Sequence, residues 1–188
     1  MLISNIKLIY IILFNIIIYI CTASDVSTSE MSGLQWLYNS TNGTNWRWHQ
    51  NIGIWNFTKP IENPCYLNWQ GITCNSGCTS ITPNSACYIQ SIELKEYRLQ
   101  GTLPTDIVLL SSLEFIDLQS NLIYGTIPTT TSLITSLTHL TLSNNRFKDT
   151  LPIVSPTLNH LDISLNFFTG NIPSNYLNGL LLTTLKIS

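Results

Sequence analysis

Charge is what this chain has least of. Only 10% of its 188 residues are charged, eight Lys and Arg against ten Asp and Glu, for a net charge of −2. A typical soluble domain carries about a quarter, and a nucleic-acid binder gathers basic residues on one face. A nucleic-acid partner is therefore excluded. Enzyme signatures are missing as well: no G-x-S-x-G, H-E-x-x-H, phosphate-binding loop or kinase motif occurs. A Ser-His-Asp set can be assembled only on paper, from Ser143, His139 and Asp117, and no enzyme is expected. After Ile20 no long apolar run recurs, so the processed chain is expected to carry no membrane span.

The one long apolar run stands at the start. Lys7 precedes Leu8 to Ile20, and the small residues Cys21, Thr22 and Ala23 follow. This is the layout of a secretory leader over residues 1–23, cleaved after Ala23. A secreted or cell-surface protein is expected. Cleavage removes Cys21 and leaves Cys65, Cys74, Cys78 and Cys87, an even set that reads as disulfides. Three pairings are open; Cys65–Cys74 and Cys78–Cys87 are favoured because each closes a short local loop. The rival, a four-thiolate zinc site, lacks the C-x₂-C spacing of such sites. Three N-x-[ST] sequons, at Asn39, Asn42 and Asn56, mark candidate glycosylation sites.

Neither helical nor strand periodicity is present in the second half. In "LEFIDLQSNLIYGTIP", from Leu113 to Pro128, the apolar spacing fits neither period 2 nor period 3.6. The stretch repeats instead. Related segments begin at Ile92, Ile116, Leu140, Leu161 and Leu185, in steps of 24, 24, 21 and 24 residues, which marks a solenoid. In each L-x-L pair two side chains point the same way from a short strand, into a core that neighbouring coils share. Asn121, Asn145 and Asn166 follow, placed to bond backbone groups at the bend, with Tyr97 in that slot of the first coil. A turn row, Gly101, Gly125, Asp149 and Gly170, precedes Pro104, Pro128, Pro152 and Pro173. Asp149 breaks the glycine rule, so a different turn is expected there. The 21-residue step implies a short return limb between Pro152 and Leu158.

Upstream, Ser27 and Glu30 have capping-box spacing, Leu34 and Leu37 begin an apolar stripe, and Gly43 is placed to end the helix. Trp46, Trp48, Trp55 and Trp69 supply bulk to cover the first coil. The recurring pattern L-x-x-L-x-L-x-x-N-x-L-x-G-x-[IL]-P resembles the plant-type, extracellular leucine-rich repeat family. The stretch C-x-x-x-W-x-G-[IV]-x-C, met by Cys65, Trp69, Gly71, Ile72 and Cys74, resembles its N-terminal cap. The resemblance implies an α/β-type solenoid: a right-handed coil with a parallel concave sheet, an irregular convex side and a disulfide-bonded cap. It implies a Cys65–Cys74 bond; the extra pair Cys78 and Cys87 is not typical. The expected organisation is a leader over 1–23, a cap over 24–88, and about four repeats plus the start of a fifth over 89–188.

The resemblance also implies ligand recognition on the concave face, whose outward residues stand in columns. Ser91, Phe115, His139, His160 and Thr184 precede the buried pair. Glu93, Asp117, Thr141, Asp162 and Lys186 lie within it. Lys95, Gln119, Ser143, Ser164 and Ser188 follow, then Glu96, Ser120, Asn144 and Leu165. The expected binding residues are Glu93, Phe115, Asp117, Gln119, His139, Thr141, Asn144, His160 and Asp162, facing a protein, peptide or glycan. No cofactor or metal is expected, since His139 and His160 lack an obvious third ligand beyond Asp162. Leu182, Leu185 and Ile187 have no following coil to cover them. That motivates an alternative, a self-assembling or adhesive extracellular protein, and the expectation that the chain is a truncated ectodomain of a receptor-like protein.

Overall fold

The computed structural model describes residues 25–58, 63–79, 86–172, 176 and 181–187. The expected leader over 1–23, together with Pro173 and Ser188, lies outside the described residues.

The chain opens with α1 (Thr28–Ser40). Its N-terminus is a complete capping box. Glu30 N donates to Ser27 Oγ, and Ser27 N donates back to Glu30 Oε2. The other carboxylate oxygen of Glu30 accepts from Ile89 N at 3.0 Å. One buried side chain therefore starts the helix and ties it to the first coil. Leu34 and Leu37 are fully buried beneath the helix. Its end differs from expectation. The helix stops at Ser40, and Asn42, at φ 60°, takes the left-handed position instead of Gly43. Gly43 is required for a different reason: a Cβ there would lie 2.2 Å from the ring of Tyr38.

The strands are β1 (Ile72–Cys74), β2 (Ile89–Glu93), β3 (Gln100–Thr102), β4 (Phe115–Asp117), β5 (Leu122–Gly125), β6 (His139–Thr141), β7 (Arg146–Asp149), β8 (His160–Asp162), β9 (Phe167–Phe168) and β10 (Thr184–Lys186). One sheet runs β1-β2-β4-β6-β8-β10 and a second runs β3-β5-β7-β9. The first is parallel from β2 onward, in the register of the repeat: Ile92 opposite Ile116, then Leu140, Leu161 and Leu185. The cap adds β1 antiparallel to β2 at its edge. In the second sheet Gly101 faces Ile123 and Gly125 faces Phe147. That register is displaced by two residues from the sequence repeat, so the coils slant.

Between the sheets the L-x-L pairs are buried from Ile92 through Ile163, with Leu99, Ile123 and Phe147 behind them. Leu185, on β10, is 36% exposed, and among the described strands β10 pairs with β8 alone. The asparagines form a ladder. Asn121 Nδ2 donates to Leu94 O of the preceding coil and to Leu118 O of its own, and Oδ1 accepts from Leu99 N. Asn145 and Asn166 repeat the arrangement, taking the N–H groups of Ile123 and Phe147. Tyr97 holds that slot in the first coil because the cap, not another coil, lies on that side. Its carbonyl accepts from Arg47 N and its ring packs on His49 and Trp48.

Asp149 adopts φ 71° beside 87° and 89° at Gly125 and Gly170. The glycine turn is kept rather than replaced, contrary to expectation; an aspartate tolerates the left-handed region. The short third limb lacks the 3₁₀ turn that the two limbs before it carry, over Thr105–Leu109 and Thr129–Leu133. In the cap, Trp46, Trp55 and Trp69 are buried and Trp48 packs partly buried against them. The indoles of Trp46 and Trp55 donate to Thr41 O and Gln70 O. Cys65–Cys74 and Cys78–Cys87 are both bonded.

Candidate binding face

Three rings line up across β4, β6 and β8. Phe115 and His139 have centroids 5.5 Å apart, and His139 and His160 also 5.5 Å, nearly parallel at 20°. Strands about 4.8 Å apart, in register, oblige same-column side chains to touch. The next column places Glu93 opposite Asp117 and Thr141 opposite Asp162. Gln119 flanks it, half-buried, and Asn144 donates to Ser120 Oγ at 3.1 Å. Seven of the nine expected residues share one face by strand register, and Gln119 and Asn144 lie just beyond the ends of β4 and β6.

They are not equally available. Asp162 is only 7% exposed. Its Oδ1 accepts from Ser164 Oγ and N, and its Oδ2 pairs with Lys186 Nζ at 3.3 Å. Burial opposes ionisation of Asp162, but the Ser164 hydrogen bonds and Lys186 outweigh it and hold the carboxyl below its usual range. Asp117 is the opposite case. Its Oδ1 accepts from Gln119 N at 2.8 Å, and it forms no ion pair among the described residues. Burial, then the like charges of Glu93 and Asp162, push its carboxyl up against the partial relief given by Gln119 and Lys95. Burial, His139 and Lys186 push the His160 imidazole down, with Asp162 opposing.

Besides Asp162, two residues expected to face outward are buried, Ser91 at 7% and Ser143 at 2% exposure. Short side chains between longer neighbours are simply covered. Among the described residues Ser143 Oγ has no hydrogen-bond partner, and His139 Nδ1 contacts Thr138 Oγ1 at 2.9 Å, so these residues assemble no Ser-His-Asp relay. The fourth column has a backbone signature that the sequence does not announce. Glu96, Ser120, Asn144 and Leu165 all have φ between 55° and 63°. Thr138, which contacts His139, is likewise invisible in the repeat pattern; Lys186 stands in the column of Asp162, but that it pairs with it depends on rotamers.

Among the described residues, the sulfurs of Cys65, Cys74 and Cys78 lie within 4.8 Å of one another. They belong to the two disulfides, and a bonded sulfur is not a thiolate ligand. No described helix is long and apolar enough to cross a membrane.

Residues 136–155 match the Leucine Rich Repeat family model. The BIR2 ectodomain from Arabidopsis thaliana is similar at 26% identity and a TM-score of 0.67, covering 87% of this chain and 80% of that one. A chain of the BIR3–SERK2 complex from Arabidopsis thaliana is similar at 26% identity and 0.65, covering 84% and 80%. A PEPR1–AtPEP1 structure is similar at 26% and 0.63, where 83% of this chain matches 20% of that one. A search of curated proteins finds no match. By its coils, its cap and these likenesses, the chain is a plant-type leucine-rich repeat solenoid with a disulfide-bonded N-terminal cap, of the kind seen in plant receptor ectodomains.

Proposed function

We propose that the chain is an extracellular binding module that holds a peptide or protein on the strand face built by β2, β4, β6 and β8. The observation that carries this is the ring ladder Phe115–His139–His160 standing beside Asp117, a half-buried aromatic patch with polar groups next to it. Two of the similar structures are complexes, PEPR1 with AtPEP1 and BIR3 with SERK2. The paired cysteines support a secreted or cell-surface location. Exposed Asn39 and Asn42 and half-buried Asn56 are its candidate glycan sites. A glycan is the other ligand class that such a face suits.

The test is a display library of random dodecapeptides selected on the intact, oxidised chain. Selected peptides are expected to lose about tenfold or more in affinity on Phe115→Ala with His160→Ala. They should be unaffected by Leu133→Ser and Ile153→Ser, which lie on the return limbs and are exposed. Peptides that ignore the strand-face changes overturn the reading.

Self-association is a second reading, favoured by Phe167 on β9 at 65% exposure and Leu181, shortly before β10, at 69%. Sedimentation that stays monomeric as concentration rises removes it.

A further inference from the structure

A ring, a carboxylate and an imidazole on the two middle strands of the face match a specific side chain. Phe115 presents an aromatic face on β4. Asp117 stands two residues along the same strand, on the same side of the sheet. His139 is the register partner of Phe115 on β6.

Thr138 Oγ1 lies 2.9 Å from His139 Nδ1 and holds that ring nitrogen by a hydrogen bond. Nε2, the nitrogen farther from the backbone, is the one left to meet a ligand.

Asp117 supplies the acceptor. Its one hydrogen bond to a described residue, from Gln119 N, is neutral. It is partly desolvated and faces the like charge of Glu93 across the register. Asp162, by contrast, already has Lys186. Of the two carboxylates beside the ring ladder, Asp117 is the one in no ion pair among the described residues; Lys95 acts on it only from beyond contact distance.

A flat π face, a carboxylate in no ion pair and an imidazole beside them together suit a planar, cationic, multi-donor group. A guanidinium stacks on an aromatic ring and offers five N–H donors in a fixed fork; an ammonium does neither as well. We infer that Phe115, Asp117 and His139 form a subsite for an arginine side chain of the bound peptide. The inference rests on the strand face being the binding surface, and it specifies the partner's chemistry.

The same dodecapeptide selection tests it, followed by affinity measurements on synthetic copies. Arginine is expected at one fixed position of the selected peptides. Replacing it with citrulline, which keeps the shape and removes the charge, should cost about tenfold or more on the native chain. The cost should shrink to within about twofold on Asp117→Asn, and lysine at that position should not restore affinity. Phe115→Leu, which keeps bulk and removes the ring, is expected to weaken the arginine peptide and not its citrulline form. Thermal melts of both variants confirm folding. Peptides that bind the strand face without arginine, or that tolerate citrulline, overturn the arginine subsite and leave the binding face standing. Absence of any peptide sensitive to strand-face substitution overturns both.

Discussion

At Asn145 a single amide stitches two coils together. Its Nδ2 donates to Leu118 O and Leu142 O, and its Oδ1 accepts from Ile123 N. Asn145→Asp keeps the shape and sets a carboxylate against two carbonyl oxygens. A loss of about 2–4 kcal/mol is expected, from buried groups left unpaired and facing like partial charges. Asn144→Asp, one residue away and exposed, should change stability by under about 0.5 kcal/mol; urea melts of the two variants compare them directly. Asp117 behaves in the reverse sense. Its carboxyl titrates above its ordinary value in the folded chain, so the folded state holds the proton more tightly. Stability from that group falls as pH rises from the ordinary aspartate range through the raised folded value. Asp117→Asn is therefore expected to raise stability at pH 7, by under about 1 kcal/mol for a partly exposed charge, while weakening ligand capture. His160 titrates below its ordinary value. Its unfavourable contribution begins as pH drops through the ordinary histidine range, and His160→Gln should flatten the acid limb of the Tm profile. The ladder asparagines were legible because each repeats on the coil's own period. The burial of Ser143 and the pairing of Asp162 were not, because neighbouring side chains decide both.

At the scale of elements, the join between cap and first coil depends on close backbone approach. Gly101, at φ 147°, sits beneath the end of α1, where a Cβ would be 1.9 Å from Ser40 O. Gln100 N also donates to Thr41 O there. Gly101→Ala would collide with backbone, and a loss of at least about 2 kcal/mol is expected by chemical denaturation. The equivalent Gly125 meets nothing closer than 3.4 Å, so its alanine variant bears only the φ strain. If both variants melt alike, packing against α1 is not what Gly101 serves. The disulfide Cys65–Cys74 closes a separation of nine residues; replacing both cysteines with serine should cost about 2–3 kcal/mol. The capping box of α1 and the four strand pairs from β2 to β10 could be read from residue types and spacing alone. The stop at Asn42 could not, since Gly43 was the more obvious left-handed residue and was claimed by the Tyr38 ring. The left-handed column from Glu96 to Leu165 carries no glycine at all, and the antiparallel β1 belongs to no repeat.

Over the whole molecule, each coil touches chiefly the coil before and the coil after, so stability is close to a sum of nearest-neighbour terms. Sequence spacing conveys that much, and it fixes the register of the strand face. It does not convey the two-residue displacement of the second sheet, which follows from how the turns pack. A sum of neighbour terms also has ends. The first coil is closed by the tryptophan cap, whereas Leu185 on β10 is 36% exposed and β10 pairs with β8 alone among the described strands. Hydrogen exchange should therefore be slowest in β4 and β6 and fastest in β10. Asn145→Asp makes the nearest-neighbour picture testable, because it weakens one junction and leaves the others intact. Amides on the cap side, in β2 and β4, are expected to keep their protection, while those in β8 and β10 lose theirs. A uniform loss along the solenoid would mean that the coils unfold as one unit.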